Sequence, residues 1–137
     1  RAVKAPLHKY TLASGERRVA VHAEGQAAHT IFRLKGAWPE YQPPLSLLEG
    51  ELKTGRTHQI RVHLAHLGFP IVGDDKYGDF DLNKTLKKQL LARMFLHAFR
   101  LRIAHPDSGE SMQFEAPVAT VLAAALQNLE ATRAAAV

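Results

Sequence analysis

The chain has 137 residues, a formal net charge of +5 and no cysteine. With 46% hydrophobic and 23% charged residues, it has the composition of an ordinary globular domain with a buried core. The lack of cysteine excludes disulfides, thiolate zinc sites and a cysteine nucleophile, and no apolar run suits a membrane span or a secretory signal, so we expect a cytoplasmic protein.

The first part of the chain predicts strands, because apolar residues alternate with polar ones between turn signals. The predicted strands are residues 16–25, 28–36 and 45–52. In the second of them Thr30, Phe32 and Leu34 are expected on one face. Residues 1–14 show no clear period. Residues 36–44 contain three prolines, which cannot donate to a central ladder, and are expected to form a loop.

The second part predicts helices and one hairpin. The predicted helices are residues 56–68, 83–94 and 119–137, and the predicted hairpin is residues 95–117. In the first helix Ile60, Leu64 and Leu67 share a face, and Gly68 suits the position just after the helix. Asn83 is placed to cap the second helix.

The order of these elements predicts an α+β fold, with a mixed but largely antiparallel sheet and flanking helices, in one domain of residues 1–137. The small residues after Thr132 are expected to fray. The apolar face of the last helix consists of Val121, Leu122, Leu126 and Leu129.

A dense cluster of polar and basic side chains lies between residues 52 and 66. Its members are Lys53, Arg56, His58, Gln59, Arg61, His63 and His66. Arginine binds phosphate through two N–H groups, and the free N–H groups at a helix start favour anions. Together with the basic net charge, the turn at Gly55 and the helix after it indicate a phosphate contact, or else a basic helix face that meets only solvent.

Other polar clusters allow chemistry but favour simpler interpretations. His63 and His66 share a helix face, but no third ligand is evident, so packed or surface histidines are favoured over a metal site. Residues 74–81 hold four aspartates that could do acid–base work, although Asp and Gly together are typical of turns. Residues 82–102 carry six Lys and Arg and no acid, which suits either a polyanion groove or a solvated face.

The string TGRTHQIRVHLAHLGFPIVGDDKYGD, residues 54–79, resembles the third conserved motif of RluA-type RNA pseudouridine synthases and the segment that follows it. Residues 95–117 resemble the next hairpin of that family. Residues 3–34 resemble its RluC-like branch, which modifies large-subunit ribosomal RNA. The resemblance covers residues 3–117, and GRTHQIRVH is its most specific part.

The resemblance implies isomerisation of uridine to pseudouridine. The glycosidic bond breaks, the uracil turns, and its carbon 5 bonds to the ribose, without any cofactor or metal. The family's essential catalyst is an aspartate in an upstream RLD motif, an upstream tyrosine contacts the target base, and the target nucleotide is flipped into the pocket. The expected partner is RNA, in particular large-subunit ribosomal RNA.

Several positions of this chain match site residues of the family. Arg61 matches the arginine that pairs with the catalytic aspartate, and an opposite charge within ~4–6 Å keeps a carboxylate ionised. Ile60 and Leu96 match apolar positions of the substrate pocket. The positions expected near the RNA are Lys53, Arg56, His58, Gln59 and Lys76.

No RLD motif occurs in this sequence, and the chain begins with Arg1 instead of methionine. We therefore expect the C-terminal part of a catalytic domain, inactive by itself because its aspartate lies upstream. The alternatives are a non-catalytic RNA-binding module and a metal-dependent hydrolase that uses the histidines.

Overall fold

The computed structural model describes residues 1–135. Three helices and seven strands occur among these residues. The strands are β1 (Ala2–Val3), β2 (Leu7–Thr11), β3 (Arg17–Val21), β4 (Thr30–Trp38), β5 (Leu45–Leu52), β6 (Arg100–Ala104) and β7 (Ser111–Glu115). The helices are α1 (Gln59–His66), α2 (Phe80–Gln89) and α3 (Thr120–Ala135). None of these helices is long and apolar enough to cross a membrane.

All strand pairs in the described part of the chain are antiparallel, and they form three separate sheets. β4 lies between β1 and β5, whereas β2–β3 and β6–β7 are two-stranded hairpins. The predicted α+β class and antiparallel pairing are confirmed, but the strands do not join into the single sheet that was expected. Alternating side chains indicate that a strand forms, not which edges meet, so the division into three sheets is not visible in the sequence.

The predicted strands are present as β3, β4 and β5, with one difference in β4. This strand continues to Trp38 through part of the segment predicted as a loop, and a bulge between Leu34 and Gly36 shifts its pairing with β5. Leu34 is 65% exposed and does not share the buried face of Thr30 and Phe32. A bulge adds an unpaired residue to one strand, so it ends the simple alternation that the prediction assumed.

Two strands near the start lie in the segment that shows no period. β1 has two residues and pairs with β4. β2 pairs along its whole length with β3 but buries only Leu7, so no apolar alternation marks it. The partner strand determines the structure here, because strand preference depends strongly on context.

Helix α1 begins later than predicted and ends as predicted. Its N-cap is His58, which has a left-handed backbone (φ 53°) and makes no side-chain cap. After its end Gly68 has φ 87°, and the Gly68 N–H donates to the Ala65 carbonyl. The Phe69 N–H donates to the Leu64 carbonyl. These bonds form a Schellman motif, which favours glycine because a side chain disfavours a positive φ.

Helix α2 is capped by Asp79, and the prediction of Asn83 as its cap is wrong. The Asp79 carboxylate accepts a hydrogen bond from the Leu82 N–H at 3.0 Å. Asn83 lies inside the helix, and its amide bonds to the preceding loop instead. Asp and Asn both suit a cap, so the local sequence did not distinguish the two positions.

Replacing Asp79 by alanine is expected to lower the free energy of unfolding by about 1 kcal/mol, because an N–H group of the first turn loses its acceptor. Asp79→Ser is the matched control, since serine keeps an oxygen that can cap. Urea unfolding of the wild type and both variants measures the difference. An equal loss of stability in the two variants would contradict the capping role.

Helix α3 confirms the last predicted helix. Its fully buried side chains are Leu122, Ala125 and Leu129. Val121 was expected on this face but is 53% exposed, because the buried stripe runs through positions three and seven residues after Leu122. Part of the tail that was expected to fray, Ala136 and Val137, lies outside the described residues.

Helix α1 lies between two of the apolar clusters of the core. Leu64 packs with Phe32 of the β1–β4–β5 sheet, whereas Val62 packs with Val19 of the β2–β3 hairpin. Packing on both sides fixes the rotation of α1 and therefore the direction of Arg61. A further cluster, which joins α3 to the end of α2, consists of Leu91, Leu122 and Ala125.

Candidate active site

An ion pair between Arg61 and Asp74 forms the centre of the candidate site. Arg61 projects from α1, and Asp74 lies in the loop that connects α1 to α2. The guanidinium donates from Nε to Oδ2 at 2.9 Å and from Nη2 to Oδ1 at 2.8 Å. The Asp74 side chain is 1% exposed and the Arg61 side chain 13% exposed. Two parallel hydrogen bonds fix the plane of the guanidinium as well as its position.

Backbone groups of the same loop complete the hydrogen bonding of Asp74. Its Oδ1 also accepts from the N–H groups of Lys76 at 2.9 Å and Tyr77 at 3.1 Å. Burial raises the pKa of Asp74, but the hydrogen bonds from Arg61 and from these N–H groups lower the pKa by more, so it lies below its ordinary value. The hydrogen bond to Asp74 raises the pKa of Arg61. Both partners therefore keep their charge.

The loop around Asp74 is folded tightly, and two of its glycines leave no room for a side chain. A Cβ at Gly73, where φ is 81°, would lie 2.3 Å from the Arg93 carbonyl oxygen. A Cβ at Gly78 would lie 2.2 Å from the Asp74 carbonyl oxygen. The Asn83 amide closes the loop, because it accepts from the Gly73 N–H and donates to the Asp74 carbonyl, both at 2.9 Å.

Tyr77 supports one face of the guanidinium. The Cζ atom of Arg61 lies 5.1 Å from the centre of the Tyr77 ring, within the range of a cation–π interaction. The Tyr77 hydroxyl accepts from the Val19 N–H at 3.0 Å and lies 2.8 Å from Nδ1 of His58. Burial lowers the pKa of His58, and the positive charges of Arg61 and Lys76 lower it further. We therefore assign a neutral imidazole whose Nδ1 accepts the hydroxyl proton.

One edge of the Arg61 guanidinium is left for a further partner. Its Nε and Nη2 bond to Asp74 and one face lies against Tyr77, whereas Nη1 makes no hydrogen bond to any residue between 1 and 135. The guanidinium is thus a permanent cation in a fixed orientation with three N–H donors unused, two on Nη1 and one on Nη2. Such a group is suited to bind a carboxylate or a phosphate.

Several curated proteins are similar to this chain. Ribosomal large subunit pseudouridine synthase C of Yersinia pestis is 43% identical over 118 residues, which are 86% of this chain. The proteins of the same name from Haemophilus influenzae and Escherichia coli K12 are 41% and 44% identical over 133 and 135 residues, in each case 97% of the chain. The chain belongs to the pseudouridine synthase family. It spans 36%, 40% and 41% of the length of these three relatives.

The fold is also that of a pseudouridine synthase domain. The human protein RNA Pseudouridylate Synthase Domain Containing 1 matches 96% of this chain and 59% of its own with a TM-score of 0.66. At 24% sequence identity this likeness concerns the fold alone. No model of a protein family matches the sequence.

The two candidates for the substrate pocket of a pseudouridine synthase pack against the same core cluster. Ile60 and Leu96 are both half-buried and pack against the core cluster that contains Phe32 and Leu64. The absence of a side chain at Gly50 on β5 leaves room for Ile60, since a Cβ there would lie 3.2 Å from its Cδ1 atom. Both residues therefore border the same cluster, and their contact with a substrate stays a prediction.

Gln59 and His63 belong to a buried chain of hydrogen bonds. The Gln59 amide donates to the Thr30 hydroxyl at 2.9 Å, and this hydroxyl donates to Nδ1 of His63 at 2.8 Å. Nε2 of His63 donates to the Ala5 carbonyl at 2.8 Å, and because a carbonyl only accepts, this bond fixes the histidine tautomer. Gln59 is 2% exposed and also accepts from the Arg56 N–H. Gln59 thus orders the turn before α1, and its predicted contact with RNA stays a prediction.

Stability is expected to fall as the pH is lowered below about 6.5. Burial lowers the pKa of His63 from 6.5, so the unfolded chain takes up a proton in this range that the folded chain excludes. The free energy of unfolding then declines by at most about 1.4 kcal/mol per pH unit for this group, until the folded pKa is reached. His58, whose pKa is also lowered, contributes with the same sign.

Urea unfolding from about pH 7.5 to 5 measures the slope of this decline. His63→Gln is expected to reduce the slope, because glutamine does not titrate. His8→Gln is the matched control and should keep the wild-type slope, because His8 is exposed and is not among the groups that shift the pKa of His63. Identical slopes in the two variants would show that His63 is not the source of the pH dependence of stability.

The basic candidates differ in how their charges are engaged. Lys53 and Arg56 are exposed, whereas His58 and Lys76 are half-buried. Hydrogen bonds from Lys53 and Arg33 lower the pKa of Glu51 to about 2, so the charge of Lys53 is shared with this carboxylate. Arg56 donates from Nε to the Ala27 carbonyl at 2.9 Å and is exposed at the surface. Their contacts with phosphate stay predictions.

Asp74 and Tyr77 are site residues that the sequence reasoning missed. The turn interpretation of the aspartate cluster holds for Asp75, which is 96% exposed, and for Asp79, which caps α2. It fails for Asp74, which is buried and paired. The available signal was the glycine on either side of DDKY, because two glycines indicate a backbone packed too closely for side chains. Within residues 1–135 no group of three His, Cys, Asp or Glu side chains is arranged to hold a metal ion.

Proposed function

We propose that this chain forms the C-terminal part of the catalytic domain of a cytoplasmic pseudouridine synthase, which isomerises uridine to pseudouridine in large-subunit ribosomal RNA. The names of its relatives support the reaction and the RNA. The observation that carries the proposal is the unused Nη1 edge of Arg61, whose position is fixed by Asp74.

In the proposed enzyme this edge binds the catalytic aspartate, which is expected upstream of the chain. Arg61 stays protonated, since its hydrogen bond to Asp74 raises its pKa. A cation within ~4–6 Å keeps the aspartate ionised and oriented in a pocket from which water is excluded. The flipped uracil would then lie against the apolar side chains of Ile60 and Leu96.

The RNA backbone is proposed to follow the basic side chains around the turn before α1. Arg56 offers an exposed guanidinium beside this turn, and Lys53, His58 and Lys76 lie on the neighbouring segments. Phosphate contacts of this kind release counterions, so binding should weaken steeply with salt concentration. The reaction rearranges bonds within a single nucleotide, so we propose that it uses no cofactor and no metal.

A non-catalytic RNA-binding module is the second candidate, and one observation favours it for this chain taken by itself. The carboxylate that pairs with Arg61 among residues 1–135 is Asp74, whose oxygens are occupied by four hydrogen bonds. The other carboxylate near Arg61 is Asp75, at 4.0 Å from Nη2 and exposed to solvent. Under this reading RNA binds and no uridine is converted.

Tritium release from ribosomal RNA labelled at carbon 5 of uridine distinguishes the two. The chain is assayed beside a version extended upstream through an aspartate motif, and beside the extended version with that aspartate changed to asparagine. Release by the extended protein alone supports the synthase. Release by the short chain would mean that Asp75 or Asp74 is the catalyst. Salt-dependent RNA binding without tritium release by any of the three proteins would instead support the non-catalytic RNA-binding module.

A further inference from the structure

Asp74 is a buried charged residue to which the mechanism proposed above assigns no role of its own. Its carboxylate is almost completely buried, yet it accepts four hydrogen bonds, two of them from Arg61. A buried charge pair contributes little net stability, because the cost of removing both charges from water offsets their attraction. The arrangement therefore calls for an explanation other than stability.

The geometry shows what the pair does to Arg61. A free arginine side chain samples many rotamers, and its guanidinium turns easily. Here Asp74 holds the Nε and Nη2 edge, and the Tyr77 ring lies on one face at 5.1 Å. Among the described residues, both N–H groups of Nη1 and the second N–H group of Nη2 are left without a hydrogen-bond partner. Because Asp74 and Tyr77 fix the plane of the guanidinium, these N–H groups point in fixed directions.

The support extends to the loop that carries Asp74. Asn83 on α2 bonds to the Gly73 N–H and the Asp74 carbonyl, and the Tyr77 hydroxyl is tied to Val19 of β3. Arg61, which projects from α1, is thus held by residues that are themselves tied to α2 and to the β2–β3 hairpin. Precise placement of this kind is what a charge needs in order to orient a reacting group.

We propose that Asp74 is a positioning residue of the synthase, which aims the Nη1 edge of Arg61 at the catalytic carboxylate. The proposal rests on the function proposed above. It assigns to Asp74 no contact with the RNA and no proton transfer, since its carboxylate is buried and its oxygens are engaged. Loss of Asp74 should therefore reduce kcat and leave the affinity for RNA nearly unchanged.

The test uses the full-length protein with Asp74→Asn, which keeps the size of the side chain but loses its charge and one acceptor oxygen. We expect kcat for tritium release to fall by on the order of a hundredfold, the effect of misplacing a catalytic group by about 1 Å. The dissociation constant for RNA should stay within about twofold of the wild type. Asp75→Asn is the matched control, because Asp75 is the exposed neighbour, and it should retain the wild-type kcat.

A second comparison separates positioning from a general loss of structure. Asn83→Ala weakens the same loop without touching the guanidinium, so it should lower the melting temperature with a smaller loss of kcat than Asp74→Asn. A double-mutant cycle with Arg61→Lys is decisive. If Asp74 acts through Arg61, the double variant has the kcat of Arg61→Lys alone. If the fold-losses of kcat in the two single variants instead multiply in the double variant, Asp74 acts independently of Arg61 and its role is structural.

The outcomes also separate this inference from the proposed function. Tritium release by the wild type together with an unchanged kcat in Asp74→Asn would overturn the positioning role and leave the synthase intact. No release by the wild-type full-length protein would overturn both. A loss of RNA affinity equal to the loss of kcat would instead place Asp74 and Arg61 in RNA binding.

Discussion

Replacing Arg61 by alanine in the full-length protein is expected to reduce turnover by about a thousandfold or more, while RNA affinity falls by only a few-fold. The proposed aspartate would lose the fixed cation that is proposed to pair with it, and removal of one preorganised charge-stabilising group commonly costs on the order of a hundred- to a thousandfold. The proposed RNA affinity is expected to depend on many phosphate contacts, and Arg61 is 13% exposed, so its loss should matter little for binding.

Arg61→Ala also leaves Asp74 as an unpaired buried charge, which typically destabilises a protein by about 3–5 kcal/mol. Arg61→Lys is therefore needed beside it, because lysine keeps the positive charge but lacks the planar fork. We expect the lysine variant to fold better and still to turn over slowly, since a lysine cannot bind Asp74 through two parallel bonds and also present a second edge. Tritium release, RNA binding and thermal melting are measured on each protein.

The exposed Arg56 supplies the contrasting variant. Arg56→Ala should weaken RNA binding and reduce its salt dependence by about one counterion, with little change in kcat at saturating RNA. If Arg61→Ala behaved in the same way as Arg56→Ala, Arg61 would be a phosphate contact, and the assignment of its Nη1 edge to a carboxylate would be wrong.

The elements that the sequence predicts well are those marked by local chemistry. Gly68 indicates the end of α1 because a positive φ excludes most other residues, and the polar turn of the β6–β7 hairpin lies between two alternating segments. Leu34 was misplaced because a bulge depends on how β4 meets β5. β2 was missed because its pairing with β3 leaves four of its five residues exposed.

In the candidate site, too, the residue marked by the local sequence was predicted and the residue that depends on tertiary contacts was missed. Arg61 was identified from a specific string of residues, but its partner within this chain was not. Asp74 lies in a segment rich in Asp and Gly, where the local pattern is that of a turn. Whether such an aspartate is exposed, as Asp75 is, or buried against an arginine of the preceding helix depends on how the loop folds back. That fold is a tertiary property, and only the two glycines hint at it.

Replacing Gly73 by alanine is expected to destabilise the protein by about 2–5 kcal/mol, and to reduce turnover through the displacement of Asp74. Two effects add. A side chain at a φ of 81° costs about 1–2 kcal/mol. The new Cβ would also lie 2.3 Å from the Arg93 carbonyl oxygen, and since this atom belongs to the backbone, the loop itself must move, at a cost of about 1–3 kcal/mol or more.

Gly15 offers a matched control for the backbone effect. Its φ is 89°, close to that of Gly73, but a Cβ there would meet no atom within 4 Å. Gly15→Ala should therefore cost only about 1–2 kcal/mol, the strain of the left-handed backbone. Urea unfolding gives both free energies, and their difference measures how tightly the loop that holds Asp74 is packed against residue 93. Equal losses in the two variants would mean that this packing contributes nothing, and Asp74 would then lack the rigid support on which its positioning of Arg61 depends.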